Sequence, residues 1–478
     1  MGKEGATRAG RLVRWEAAAG AGKGCGGEMW EYGGVAGGGA ADGARSNNGE
    51  ALLHPHDALS HVFARLPSAA DVVRSAATCR RWARLIAEDA AVLSGVLPPL
   101  PCLTLGFFHQ ENAGATARRR RASSADAQPC FVPTAAAARL IGLPGPSWTA
   151  LADAVLGLGD GRGLFEHARP VAARNGWLVL ELRQERYTDG LKLCVCNPTR
   201  GDLAVLPPLA GADNLGDYAC ALYTGHDLDT PRPLSPFFRL LIVYNRRAFT
   251  ALRSYSSDTG RWSTEAKRSW GPKIASEKLR ELGQSIVFRG VAYWLLGRTA
   301  FAVRLDTPEP AEERMPQCGI PNLPPGWRAF GVAADGKLMF VDAALGLDYK
   351  AAVRSYHLTV AKRAVFCPST GDDGCSGAWD WTNRYCIRLK ELKVRCGGSQ
   401  EEKVPPYGDK VNLRWFCEKS GNLLFTLGEG TGSPGAFVLN MATEHVEKVA
   451  DGVDCDSWRN FVGYEMDGAA YLASISRG

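Results

Sequence analysis

The chain has 478 residues, of which 45% are hydrophobic, 9% aromatic and 22% charged. That length accommodates about two to four domains, and the apolar fraction excludes a chain that is disordered throughout. The 56 basic residues exceed the 50 acidic ones by only six, too small a margin to imply a nucleic-acid partner, and no apolar run approaches the ~18–20 residues of a membrane helix.

Residues 1–50 read as a disordered Gly/Ala-rich tail, since the runs 20–27 and 37–41 have no periodicity. Gly22-Lys23 resembles the end of a phosphate-binding loop, but Ala17 and Gly24 stand where that loop needs Gly and Ser or Thr. Charges at Lys3, Glu4, Arg8, Arg11, Arg14 and Glu16 replace the apolar region of a signal peptide. The expectation is a soluble intracellular protein, in the cytoplasm, the nucleus or both.

Residues 51–95 read as three short helices. Leu59, Val62, Phe63 and Leu66 fall at i, i+3, i+4 and i+7, the stripe of an amphipathic helix. Pro67 stops that helix, and Ser68 caps a second one carrying Val72, Val73, Ala76 and Ala77. A third stripe follows at Cys79, Trp82, Leu85 and Ile86. So small a unit cannot bury enough core alone and needs a partner, or the rest of the chain, to cover its apolar face.

Residues 96–168 form a connecting segment. Arg118 to Arg121, followed by Ala122-Ser123-Ser124, reads as a solvated loop. A nuclear localisation signal and a kinase site at Ser123 are its two functional alternatives. Leu103 to Phe108 and Cys130 to Val132 are candidate ring-closing strands.

Residues 169–478 read as strands separated by tight turns. The turn pairs are Asn175-Gly176, Asp189-Gly190, Thr259-Gly260, Arg289-Gly290, Asp335-Gly336, Ser420-Gly421 and Asp467-Gly468, where Gly supplies the positive φ of hairpin turns. Anchors at 176, 290, 336, 421 and 468 are separated by 114, 46, 85 and 47 residues, near multiples of the ~40–50 of a four-stranded propeller blade. The long gaps accommodate extra units around Leu240 to Tyr244 and Arg384 to Leu389. The expected architecture is multi-domain α+β: a small three-helix unit, then a mostly antiparallel all-β domain, a β-propeller of about six blades. Phe461 to Tyr464 and Tyr471 to Ala473 would begin the blade that the N-terminal strands complete. Trp177, Trp262, Trp294, Trp327, Trp415 and Trp458 read as filling between blades rather than a ligand cage.

The 14 cysteines include no CxxC pair, and the wide gaps among Cys367, Cys375, Cys386 and Cys396 lack the tight spacing of structural zinc. They read as free thiols in a reducing compartment. No metal or cofactor is expected.

Pro55 to Pro67, followed by Cys79-Arg80-Arg81-Trp82, resembles the F-box. The family pattern is Leu-Pro-x-Asp-x-Leu, an apolar pair, Leu-Pro, then Val-Cys-(Lys/Arg)-x-Trp. Here His54 separates Leu53 from Pro55, and Thr78 stands where Val is common. The remainder is similar to the associated domain of large plant F-box families, of grass type by its Ala, Gly and Arg content. Asn175-Gly176-Trp177-Leu178, Cys196 to Gly201, Leu206-Pro207-Pro208 and Gly290 to Trp294 carry that likeness. The resemblance implies the substrate-recognition subunit of a Skp–cullin–F-box ubiquitin ligase, with no chemistry of its own. By position, Pro55, Leu59, Val62, Phe63, Leu66, Pro67, Cys79 and Trp82 match the adaptor-binding pattern. Which of them touch the Skp-type adaptor and which pack the helices is open. The β domain would hold a target protein through long loops at 209–235, 306–328, 366–382 and 396–409.

Three other readings compete with this one. An enzyme is disfavoured, because Gly374 to Ala378 lacks the last Gly of a nucleophile elbow and the eight histidines are scattered. A nucleic-acid binder is disfavoured, because the basic runs are short and the aromatics read as core. An F-box scaffold that degrades nothing stays open.

Overall fold

A computed structural model of the protein describes residues 13–14, 55–97, 103–110, 129–135, 168–182, 191–197, 202–209, 216–228, 230, 235–297, 299–314, 326, 328–332, 338–348, 353–362, 382–395, 411–428, 434–452, 455–466 and 468–474. Four helices come first: α1 (Pro55–Ala64), α2 (Ala69–Ala76), α3 (Arg80–Glu88) and α4 (Ala90–Val96). Ser68 has extended φ and ψ of −147° and 152°, and its hydroxyl accepts the Asp71 N–H at 3.2 Å, the expected N-cap. α4 lies beyond the three helical stripes.

Strands β1 (Val13–Arg14), β2 (Thr104–Gln110) and β3 (Cys130–Pro133) precede the main run. The first blade is β4 (Arg169–Arg174), β5 (Trp177–Leu182), β6 (Lys192–Asn197) and β7 (Asp202–Val205), with β1 on its outer edge. Apart from that two-residue pairing, the expected tail at 1–50 lies outside the described residues, as do the arginine run and the Cys375 loop. The second blade is β8 (Tyr218–Thr224), β9 (Phe238–Asn245), β10 (Thr250–Ser256) and β11 (Arg261–Trp262), with β12 (Ala266–Lys267) also on β10. A short helix α5 (Ser276–Arg280) leads to the third blade, β13 (Ile286–Phe288), β14 (Val291–Leu296), β15 (Thr299–Arg304) and β16 (Ala311–Glu313). The fourth is β17 (Arg328–Val332), β18 (Leu338–Asp348), β19 (Val353–Lys362) and β20 (Thr382–Arg395). The fifth is β21 (Val411–Cys417), β22 (Asn422–Leu427), β23 (Gly435–Asn440) and β24 (Val446–Asp451). A sixth, three-stranded sheet joins β25 (Arg459–Glu465) to β2 and β3, and helix α6 (Gly468–Ser474) ends the described chain.

Each sheet is an antiparallel meander, and the innermost strands β4, β8, β13, β17, β21 and β25 touch in sequence around a ring. The arrangement is a β-propeller. β25 comes from the C-terminal side and β2 from the N-terminal side, so their pairing, with Phe108 opposite Val462, closes the ring and removes an open edge. Thr104 Oγ1 lies 2.5 Å from Ser420 Oγ and accepts from Asn422 Nδ2 at 2.9 Å, tying the closing strand to the fifth blade. The Tyr464 hydroxyl donates to Gly176 O at 2.9 Å and ties the sixth sheet to the first blade.

The strands are apolar on both faces because both are covered. Along β5, Leu178, Leu180 and Leu182 pack toward the sixth sheet, while Trp177 and Val179 pack toward the second blade. Along β9, Leu240 and Ile242 face the first blade, and Leu241 and Val243 face the third. Trp177, Trp294, Trp415 and Trp458 are buried between sheets as inter-blade filling, and Trp262 is half-buried. Trp327 lies outside the described residues. Neighbouring sheets approach so closely that a Cβ on Gly463 would sit 2.4 Å from the Trp415 ring. The expected two-residue turns are present at Asn175-Gly176 (φ 51° and 79°) and Arg289-Gly290 (φ 49° and 76°), both of the type I′ kind that matches strand twist.

Two repeat units expected from the sequence differ in the structure. Arg384 to Leu389 lies in β20, the outer strand of the fourth blade, so the 85-residue gap holds one large blade rather than two units. Gly468 to Ala473 is helix α6 rather than a blade strand, and β25 alone supplies the C-terminal side of the closing sheet. Ala469, Ala470 and Ala473 favour a helix where strand contacts do not hold the backbone extended.

Candidate functional site

The helical unit has a core of Phe63, Val72, Ala76, Leu85, Ile86, Ala90 and Leu93, and Leu472 of α6 completes it. Phe63 and Trp82 meet edge to face at 5.5 Å between centroids. α1 ends in a tightened turn, with Arg65 N–H donating to Val62 O at 3.1 Å and Leu66 N–H to Phe63 O at 3.2 Å. The Ser60 hydroxyl donates to Asp89 and holds α1 against the α3–α4 junction.

Burial separates the pattern residues into three groups. Phe63 is core. Leu59, Leu66 and Trp82 are half-buried, each packing inward on that core while leaving surface outside. Val62, Pro67 and Cys79 are exposed, Val62 to 54%. The Pro55 side chain is outside the described residues, although its backbone opens α1. Exposed large apolar side chains among the described residues are Val62, Val92, Val96, Val205 and Trp270, so three of five lie on this small helical unit. Val62 lies on α1, and Val92 and Val96 lie on α4.

Sequence reasoning missed the part played by α6. Met466 N–H donates to Leu103 O at 2.7 Å, and Gly468 lies against Leu103 and Ser94. The helical unit is therefore attached to the sixth sheet twice, by the chain leaving α4 and by the chain entering α6. The alanines and the Leu472 position were the available signal, masked by a repeat period that made the segment a strand.

The same face carries a buried polar centre that composition could not reveal. Arg174, at the end of β4, donates to Asp227 from Nη2 at 2.7 Å and from Nε at 3.1 Å, to Val287 O at 2.8 Å, and to the Glu418 carboxylate. One guanidinium thus joins four blades at the ends of their inner strands. Burial alone would raise the Asp227 carboxyl, but Arg174 and the Thr224 N–H hold it below its ordinary value. Burial, with the Asp227 charge nearby, raises the Glu418 carboxyl even though Arg174 acts the other way. Glu465 accepts the Lys419 and Ser420 N–H groups at 2.9 and 3.0 Å, yet burial, with Glu418 nearby, pushes it up to about 7. On the opposite face, His109 stacks on Trp458 at 3.9 Å, and burial, helped by Arg414, lowers it to about 4. These groups are structural keystones. Cys194 and Cys196 share one buried face of β6, as their spacing predicts. Among the described residues no three His, Cys, Asp or Glu side chains gather as a metal site, and no helix is long and apolar enough to cross a membrane.

Residues 55–92 match the family described as F-box-like. This segment is an F-box-like domain. It is followed by the β-propeller, the order that the sequence resemblance implies. No curated protein sequence matches the chain. Among solved structures it is similar to the WD40 domain of SCAP from fission yeast (8% identity, 58% of this chain, 61% of that one, TM-score 0.26). It is also similar to oligogalacturonate lyase from Vibrio parahaemolyticus (8% identity, 59% of this chain, 79% of that one, TM-score 0.27) and to a prolyl endopeptidase (13% identity, 68% and 44%, TM-score 0.26). Likeness at that level carries no argument, and the propeller assignment rests on the strand order.

Proposed function

We propose that this protein is the substrate-recognition subunit of a Skp–cullin–F-box ubiquitin ligase, acting in the cytoplasm or nucleus. The F-box-like domain docks on a Skp-type adaptor and through it on a cullin, and the propeller holds a target protein. The chain performs no covalent chemistry; it raises the target's effective concentration near a ubiquitin-charged enzyme. The observation that carries this reading is the water-facing Val62 on α1, beside exposed Pro67 and half-buried Leu59 and Leu66, within a domain matched to the F-box-like family.

The test is capture of a Skp-type adaptor by the full chain and by Val62→Asp. A carboxylate placed in an apolar interface is desolvated without a partner, so capture should fall by about tenfold or more. Val62 is exposed, so the melting temperature should not move. A second variant, Leu66→Asp/Pro67→Ala, should also lose capture. Absence of binding by the wild type, or equal binding by Val62→Asp, would overturn the reading. Reconstituted ubiquitination of a trapped target separates a ligase receptor from a scaffold.

A further inference from the structure

The F-box-like domain joins the propeller at the ends of the inner strands, where Glu465 leads into α6. The β9–β10 turn, Arg246 to Phe249, is at the opposite end, because Asn245 and Thr250 pair far from the Thr224–Phe238 end of the same sheet. Beside that turn runs the segment Arg268 to Ile274. Arg268 N–H donates to Thr250 O at 2.9 Å, and Asn245 Nδ2 donates to Ile274 O at 2.9 Å.

This segment is held by hydrogen bonds and carries an exposed tryptophan. Glu312 Oε2 accepts the backbone N–H groups of Ser269 and Trp270 at 2.7 and 2.8 Å, and Glu312 Oε1 pairs with Arg268 Nε at 2.8 Å. Arg268 Nη1 also closes on Pro272 O at 2.8 Å. Trp270 is 48% exposed, the one tryptophan, tyrosine or phenylalanine so exposed among the side chains whose burial is described. The Arg314 guanidinium lies 5.4 Å from its centroid. Lys273 donates to Arg247 O at 3.1 Å, and Lys267 lies over the Phe249 ring at 5.8 Å.

The charges are one-sided. Two carboxylates belong to this ridge, and each is matched by its own arginine, Glu312 by Arg268 and Glu265 by Arg246. Arg247, Lys267, Lys273 and Arg314 are exposed and, among the described residues, have no carboxylate partner. Glu313, next to Arg314 in the chain, is paired with Arg304. Four exposed cations without a described carboxylate partner thus lie on the ridge that carries Trp270, and Arg314 is over its ring.

We infer that this ridge is the target-docking surface, and that it takes an acidic peptide segment carrying an aliphatic side chain. The inference rests on the ligase-receptor reading and names the chemistry of its target. The aliphatic group packs on the open part of Trp270, and flanking carboxylates meet Arg247, Lys273 and Arg314. A strand of nucleic acid fits less well, because successive bases need successive aromatic platforms and Trp270 is the one exposed tryptophan, tyrosine or phenylalanine among the described side chains.

The test is fluorescence anisotropy of the full chain with a short fluorescein-labelled peptide of alternating Glu and Ser around one central Leu. Binding at low ionic strength should weaken as salt rises. Trp270→Ala and Arg247→Glu/Lys273→Glu should each weaken it by about tenfold, while Arg261→Glu, an exposed charge near the other end of the second blade, should not. Replacing Glu by Gln, or Leu by Ser, in the peptide should have the same effect as the ridge variants. No binding by the wild type, unaltered binding by Trp270→Ala, or tighter binding of an oligothymidine probe would overturn the assignment. Adaptor capture by Trp270→Ala should match the wild type. If the wild type binds the peptide but captures no adaptor, the ligase reading fails and the ridge stands; the reverse result removes the ridge alone.

Discussion

Leu472 should be as necessary to the F-box-like domain as the residues within it. The core of that domain has six side chains larger than Ala that are fully or nearly buried, Phe63, Val72, Leu85, Ile86, Leu93 and Leu472, and the last comes from the far end of the chain. Leu472 is 2% exposed, so Leu472→Ala removes a complete side chain's burial and leaves a cavity against α3 and α4, a loss of about 3 kcal/mol. At about 1.4 kcal/mol per decade, local opening of the helices becomes about a hundredfold more frequent. Hydrogen exchange reads this directly. Amides of α1 to α4 should exchange about a hundredfold faster, whereas those of β8 to β10, which touch none of this core, should be unchanged. Adaptor capture should fall with it, and termination after Met466 should do the same. If exchange in α1 to α4 is the same in Leu472→Ala and the wild type, α6 is an ornament and the coupling argument is wrong.

Three further outcomes follow from the polar centre and the close approaches. Arg174→Met leaves Asp227 and Glu418 buried without their cation, so the propeller should lose about 3–5 kcal/mol, measured by denaturant unfolding. Glu465 has its folded pKa raised to about 7 from 4.5, so the unfolded chain ionises first as pH rises. Stability should therefore fall between roughly pH 4.5 and 7, by about 3 kcal/mol, and level off above; Glu465→Gln should flatten that slope, as melting temperatures across the window would show. Gly463→Ala drives a Cβ to 2.4 Å from the Trp415 ring, so ring closure should weaken by about 1–3 kcal/mol, and an unchanged melting temperature would refute the packing account.

Local chemistry was legible in the sequence, and long-range closure only in part. The Ser68 cap and the type I′ turns at 175–176 and 289–290 follow from residue types that admit few conformations, and the pairing of 104–108 with 462–465 from the need to remove an open sheet edge. Five blades of four or more strands and a three-stranded closing sheet stand where about six blades were expected, and two of the expected units were misplaced. The fourth blade carries strands of 11, 10 and 14 residues, so a period tuned to short strands counted it twice. The segment after Glu465 continued that period, but its alanines carry no strand preference, and with the closing sheet already supplied by β2 no ladder position was left for it. Among the pattern residues, spacing could not tell Phe63 from Val62, because adjacent positions on one helix stripe differ only in what packs above them. Arg174 was invisible for a different reason. Its partners Asp227, Val287 and Glu418 lie 53, 113 and 244 residues away, and only the closed ring brings them together.

The two attachments of the helical domain bear directly on what the protein can do. A recognition subunit joined by one flexible linker would present its target over a wide volume, and the effective concentration at the ubiquitin-charged enzyme would fall accordingly. Here the chain leaves α4 into β2, and β25 returns into α6, so the docking helices hang from two neighbouring strands of one sheet. Thr104, Ser420, Asn422 and Glu465 fix the root of those strands to the fifth blade, and Arg174 fixes the same face across four blades. On the proposed reading, a target held on the opposite face would be carried at a set distance and angle from the adaptor.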